Sequence, residues 1–236
     1  MLSWTGTSLE RGAVPWGLLA LTAVLTAACG TEDPGASDPD DVAQGPLLPW
    51  QPGNTWTYRV TDAQGLVTEK VTVVGDEEPV GGTGPHAAEL ANRVVTSKRD
   101  GADETVSWQR QDGDRVLRYR EQSFNGTTGI LDLEEHWDPY KLHIDGSAEH
   151  LLAGVEWVET YVETKIQAGT TSSATVSDRW IVVSIGTTIT VPAGTFEVVV
   201  LNKLPAGKQY FYAPGVGKVK ELGGQTEELL SFDVAP

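Results

Sequence analysis

Residues 55–61 read TWTYRVT, and this alternation constrains the fold more than any other feature of the chain. Trp56, Tyr58 and Val60 fall on one side of an extended segment. Thr55, Thr57, Arg59 and Thr61 fall on the other, the period of two that only a strand presents. Near the end, LLSFDV repeats the pattern, with Leu230, Phe232 and Val234 on one face and Leu229, Ser231 and Asp233 on the opposite one. Between them, ETVSWQRQ and RVLRYREQ flank Asp112-Gly113-Asp114 and predict a hairpin, with Val106 and Trp108 facing Leu117 and Tyr119. Similar runs occur at 66–74, 87–97, 130–137, 156–166, 175–190, 196–202, 208–213 and 216–222. WIVVSIGTTITV and FEVVVLNKL are apolar on both faces and read as strands covered on each side. The best helical candidate, 146–153, is short. The expectation is all-β: one strongly curved antiparallel sheet of roughly ten to twelve strands, a half-barrel or open barrel with few helices.

The organisation around this domain follows from a single cysteine. GLLALTAVLTAACGTEDPG places Cys29 between an uncharged run and an acidic, turn-rich stretch. From Gly12 to Ala28 there is no charge, and the span is short for a membrane-crossing helix. Leu25-Thr26-Ala27-Ala28-Cys29 resembles the lipobox of bacterial lipoproteins. That resemblance implies cleavage before Cys29, a diacylglycerol thioether on its sulfur and an acylated new amino terminus, enough acyl chain for stable anchoring. The alternatives are a secreted protein with a free thiol and an uncleaved helical anchor. Residues 1–28 are thus read as a signal peptide, 29–46 as the lipidated cysteine and a flexible acidic tether, and 47–236 as a single β-rich domain. Without the signal, the formal charge remains −16 and no second cysteine exists for a disulfide. Gly30 after the cysteine, rather than Asp, favours the outer membrane by the same resemblance, at its periplasmic face or the cell surface.

Three stretches carry a second resemblance. Trp50-Gln51-Pro52-Gly53-Asn54-Thr55-Trp56-Thr57-Tyr58, Val191-Pro192-Ala193-Gly194-Thr195-Phe196-Glu197 and Tyr212-Ala213-Pro214-Gly215-Val216-Gly217-Lys218-Val219-Lys220 resemble hallmarks of a group of uncharacterised bacterial lipoproteins. Trp50-Gln51 stands where that group has an apolar pair. At fold level the group is similar to the lipid-carrying lipoproteins LolA, LolB and LppX, which implies a curved sheet around an apolar cavity. Read as residues, the two later hallmarks are turns between strands.

Chemistry is sparse. No Gly-x-Ser-x-Gly stands in the chain, and no serine has a histidine in a recognisable setting, so no catalytic residue is assigned. His136, His143 and His150 recur every seven residues, which on a strand reverses the face, and no zinc spacing appears. Asp112-Gly113-Asp114 and Asp38-Pro39-Asp40-Asp41 do not match a calcium loop. No metal or cofactor is implied, and a pI near 4.5 has the wrong sign for nucleic acid. Arg110, Arg115, Arg118 and Arg120 form the one basic cluster, interleaved with acids that suit cross-strand pairing. The expectation is a non-enzymatic, lipid-anchored binding module for an apolar ligand such as a lipid, or for a partner's segment. Its lining would come from Trp56, Tyr58, Trp108, Tyr119, Trp157 and Trp180. The alternative is a structural or adhesive component of an envelope assembly. Either reading makes the membrane, through the anchor, and an envelope lipid or protein the partners.

Overall fold

The computed structural model describes residues 45–98 and 103–235, so the signal peptide, Cys29 and the acidic tether lie outside the described residues. Twelve strands follow one another: β1 (Thr55–Thr61), β2 (Val67–Pro79), β3 (Leu90–Lys98), β4 (Asp103–Asp112), β5 (Arg115–Asn125) and β6 (Leu131–Asp145) form the first half. The second half is β7 (Glu156–Gln167), β8 (Thr170–Val191), β9 (Gly194–Leu204), β10 (Lys208–Ala213), β11 (Gly217–Leu222) and β12 (Thr226–Asp233). Every strand pairs antiparallel with its neighbours in sequence, and β1 also pairs with β12, so the sheet closes into a barrel. The all-β expectation holds, and closure goes beyond a half-barrel. Segment 146–153 is a pair of turns, and no helix occurs among the described residues.

Closure with twelve strands leaves an interior wider than side chains alone fill. Bulges adjust the wall. In the β4–β5 hairpin the register shifts between Trp108 and Gln109, so Trp108 faces Arg120 and Val106 faces Gln122, not Tyr119 and Leu117. The β5–β6 register shifts in the same place, between Arg118 and Arg120. Tyr119 is the extra residue, and a bulge of this kind changes which side the following residues face. A shift between Thr57 and Tyr58 does the same opposite β12. There Leu229 is fully buried while Phe232 stays exposed, which reverses the faces expected from LLSFDV.

One end of the barrel is filled by the chain that leads into it. Leu47, Leu48 and Trp50 are buried, and Gly215 N–H donates to Pro46 O at 2.9 Å. Trp50 stacks on Trp56 with centroids 6.2 Å apart and meets His143 edge-on at 5.7 Å. Two of the sequence hallmarks meet beside this plug. Trp56 Nε1 donates to Val216 O at 2.6 Å, and Tyr58 Oη donates to Lys218 O at 3.0 Å. Gly217 has φ +109°, and a Cβ there would stand 3.0 Å from both Leu48 Cδ1 and Trp56 Nε1. A glycine therefore serves both the backbone angle and the close packing. The remaining hallmark is the turn from β8 into β9, where Ala193 N–H donates to Leu229 O at 3.0 Å and Phe196 packs on Phe232. Of the two doubly apolar runs, FEVVV is covered on both faces, with Val198, Val199, Val200 and Leu201 all buried. WIVV is covered on one only: Trp180 and Val182 are buried and Val183 is exposed, because the outer face of β8 has nothing packed on it there.

The buried core continues under the segment joining β2 to β3. Val80 and Ala91 are buried there, as are Val106, Trp108 and Tyr119. Arg120 Nη1 donates to Val80 O at 2.8 Å, its guanidinium lies 4.3 Å from the Trp108 ring, and Trp108 Nε1 donates to Glu78. Glu134 accepts from Arg120 Nε at 3.2 Å and pairs with His136 Nε2 at 2.8 Å. Cβ atoms at Gly82 or Gly84 would run into the His136 ring, so the covering segment lies directly against it.

Candidate functional site: the barrel lumen

A cavity of about 500 Å³ occupies the barrel lumen. This is the size of a small-molecule site, but such sites are usually mostly apolar, and this wall is mostly polar and charged. Strand alternation explains the arrangement. On β2 Lys70 and Thr72 point in, on β6 Lys141 and His143, on β8 Asp178 and Trp180, and on β10 Lys208 and Tyr210. The sequence leaves several outward-facing positions apolar instead, among them Val158 and Val183.

Charge inside is organised in chains. Lys70, Glu227, Lys218, Glu221 and Lys208 alternate in sign around the wall, drawn from β2, β12, β11 and β10. Lys218 Nζ lies 2.8 Å from Glu227 Oε2, and Lys208 Nζ lies 2.6 Å from Glu221 Oε1. Glu227 also pairs with Lys70, and Glu221 with Lys218. Burial alone would raise the Glu227 carboxyl, but Lys218 and Lys70 hold it far below the usual carboxylate range. Lys218 is pushed the other way by burial, and Glu227 and Glu221 outweigh that and keep it charged. Lys70, with burial and the Lys218 charge against it, is brought down to about 8. Across the lumen, Lys203 Nζ lies 2.9 Å from both Glu159 Oε1 and Asp178 Oδ2 and 4.5 Å from the Trp180 ring. Glu159 also accepts from Leu142 N–H at 2.7 Å and from Trp180 Nε1 at 3.1 Å. Below Asp138 strand β6 leaves the β7 ladder, and this carboxylate replaces the missing backbone acceptor for Leu142.

The predicted lining residues separate. Trp56, Tyr58 and Trp180 line the lumen. Trp108 and Tyr119 do not: each neighbours a residue that faces the lumen, Gln109 or Arg118, and so turns outward under the β2–β3 segment. Trp157 is stacked between His150, at 4.2 Å and 3°, and Trp180, at 6.1 Å and 6°, and does not reach the cavity. The three histidines scatter: His136 is buried beside Glu134, His143 faces the lumen, and His150 covers Trp157. The lysines and glutamates of the lumen escaped sequence reasoning because GKVKEL and TEELL read as ordinary solvent faces. The one available signal was opposite charge at alternate positions of consecutive strands.

Burial sets the state of the inward titratable groups. His143 Nδ1 pairs with Gln109 Oε1 at 2.6 Å, while Gln109 Nε2 donates to Ser107 Oγ at 2.7 Å. With the amide so turned, Nδ1 carries the proton and Nε2 is the bare nitrogen. Burial, then the charges of Arg118, Lys218, Lys203 and Lys70, keep this ring neutral, well below the usual histidine range. Tyr58, Tyr210 and Tyr212 are all raised well above the usual phenol value, by burial first. No group of three or more metal-ligating side chains stands together among the described residues.

The fold and the cavity define a class: a closed up-and-down β-barrel with a charged lumen. No family model matches the chain, and no curated protein does. Two solved structures are similar to it. One, from Bacteroides fragilis, is described as an exported protein with a YmcC-like fold. It is 16% identical, with a TM-score of 0.49, over 80% of this chain and all of that one. The other, from Parabacteroides distasonis, is described as a lipoprotein. It is 13% identical, with a TM-score of 0.42, over 79% of this chain and 98% of that one.

Proposed function

We propose that this is a non-enzymatic binding module, held at the outer membrane through a lipid on Cys29, whose lumen takes a small polar ligand. The observation that carries the reading is the polar wall of a cavity the size of a small molecule, with Lys208 half exposed where the cavity meets solvent. The apolar cargo implied by the resemblance to lipid carriers fits this wall poorly. An acyl chain along it would displace water from charged groups and return no hydrogen bonds. A ligand carrying its own charges and hydrogen-bonding groups replaces that water at little cost. The anchor rests on the Leu-Thr-Ala-Ala-Cys stretch and the acidic tether after it, the outer-membrane address on Gly30 in place of Asp after the cysteine, and the absence of catalysis on the lack of a nucleophile in the sequence.

Native mass spectrometry of the full-length protein, exported and released from a mild detergent micelle, tests the reading. A small hydrophilic mass that leaves the barrel on denaturation is the expected result. A stoichiometric acyl lipid, or a bare protein in every preparation, would sink it.

A further inference from the structure

Within the lumen the cations are not equally satisfied. Lys70, Lys203, Lys208 and Lys218 each stand within hydrogen-bond distance of a carboxylate. Lys141 does not share this arrangement, and Arg118 shares it only in part. They are direct partners across the β5–β6 ladder and both line the cavity, so two like charges sit opposite one another, a destabilising pair on a sheet. Arg118 uses Nη1 on Glu121 at 3.0 Å, but its Nε is buried with no hydrogen-bond partner. Lys141 Nζ stands 3.9 Å from Glu163, beyond hydrogen-bond reach, and that carboxylate is already engaged by Lys165 and by Trp137 Nε1. Both cations lie over the Trp137 ring, which supports their charge but supplies no acceptor.

We infer that Arg118 and Lys141 form a subsite for an oxyanion, so that the small polar ligand of the lumen carries a phosphate or carboxylate group. An anion between the two side chains removes their mutual repulsion and gives Arg118 Nε and Lys141 Nζ the acceptors they lack. Repulsion felt by the empty site becomes affinity in the filled one. Burial and the Arg118 charge depress Lys141 in the empty barrel, and a bound anion opposes that. The arrangement also gives the Tyr119 bulge a role, because without it Arg118 and Arg120 would share a face.

This inference rests on the lumen being the binding site, and the experiment separates the two. The full-length protein in nonionic detergent is melted by scanning fluorimetry, with inorganic phosphate or succinate titrated against chloride at constant ionic strength. A saturating rise in Tm is expected, abolished in Arg118→Gln and in Lys141→Gln. Arg118→Lys should keep part of it, and Arg59→Gln, which removes only the exposed pair with Glu228, all of it. Circular dichroism and the unliganded Tm show whether each variant is folded. A rise with short-chain phosphatidylglycerol but not with phosphate assigns the same subsite to a lipid headgroup. No rise with any of these probes, or a rise that survives in both glutamine variants, overturns the inference. A neutral or cationic small molecule released in the native mass spectrum would overturn it too, while leaving the lumen as the binding site. No released molecule and no rise would end both readings.

Discussion

Arg118 and Arg120 stand two residues apart on β5 and live in opposite surroundings. Arg120 is closed over. Its guanidinium lies on Trp108, donates to Val80 O and Glu134, and is roofed by the segment that carries Gly82. Arg118 faces the cavity with an unused buried donor and a lysine as its cross-strand partner. Residue type and strand are the same, so the difference comes from the bulge at Tyr119 and from what each face meets. A buried charge whose hydrogen bonds are all met stabilises a particular packing. One left with an open donor beside a cavity costs stability until something fills the gap.

The largest effect that sharpens this contrast comes from alkali, which strikes the inner face. Tyr58 and Tyr212 are buried and Tyr210 partly so, and all three phenols are raised above the ordinary value of 10.0. A group whose folded pKa is raised keeps the folded state fully supported below its unfolded value and withdraws that support as pH climbs above it. Each such tyrosine contributes a slope of about 1.4 kcal/mol per pH unit, roughly 4 for the three together. Cooperative unfolding above pH 10, with tyrosinate absorbance appearing only as structure is lost, is the expected outcome. Early tyrosinate absorbance in a folded barrel would show that the lumen is far wetter than described.

Next in size is Arg120→Ala on the outer face. It leaves the buried Val80 carbonyl without its donor and Glu134 without its cation, with only Gln122 and His136 still bonded to that carboxylate, and should cost about 3–5 kcal/mol in denaturant unfolding. A loss under 1 kcal/mol would place Arg120 with ordinary surface charges and erase the contrast. Gly217→Ala should cost about 2 kcal/mol, from the φ of +109° and the approach to Leu48 and Trp56, seen as a lower denaturation midpoint at unchanged slope. Smallest is Arg118→Gln. It relieves the repulsion with Lys141 and releases a paired Glu121, so its unfolding free energy should stay within about 1 kcal/mol of the parent. A cost near that of Arg120→Ala would show that Arg118 is structural after all.

Much of the barrel was legible because its strands obey a period of two and its turns carry glycine. Stretches such as 156–166 and 208–213 match β7 and β10 almost residue for residue. Closure was not legible, because nothing in TWTYRVT or in LLSFDV names the other as its partner. The site was harder still. Alternation puts Arg118 and Arg120 on one face, and only the three-dimensional ladder shows the extra residue that separates them. The aromatic residues were taken as lining because apolar faces usually turn inward. In this barrel Trp56, Tyr58 and Trp180 do so, yet they share the wall with lysines and glutamates that look like solvent residues until the register and bulges that pair them are known. Lys70 and Glu227 meet from opposite ends of the domain, and no local pattern joins them.

Every strand pairing but that of β1 with β12 joins neighbours along the chain. The ladder from β2 to β11 can therefore grow hairpin by hairpin, each step closing only a short loop, whereas the seam must bring together segments from the two ends of the domain. Asn54 Oδ1 accepts from Ala235 N–H across that seam at 2.8 Å, so the last residues of the fold fasten the first. A chain whose β12 has not yet docked is a curved sheet with two bare edges, β1 and β11, each able to recruit a strand from another molecule. The final eight-residue strand is thus what turns an aggregation-prone ribbon into a vessel with an inside.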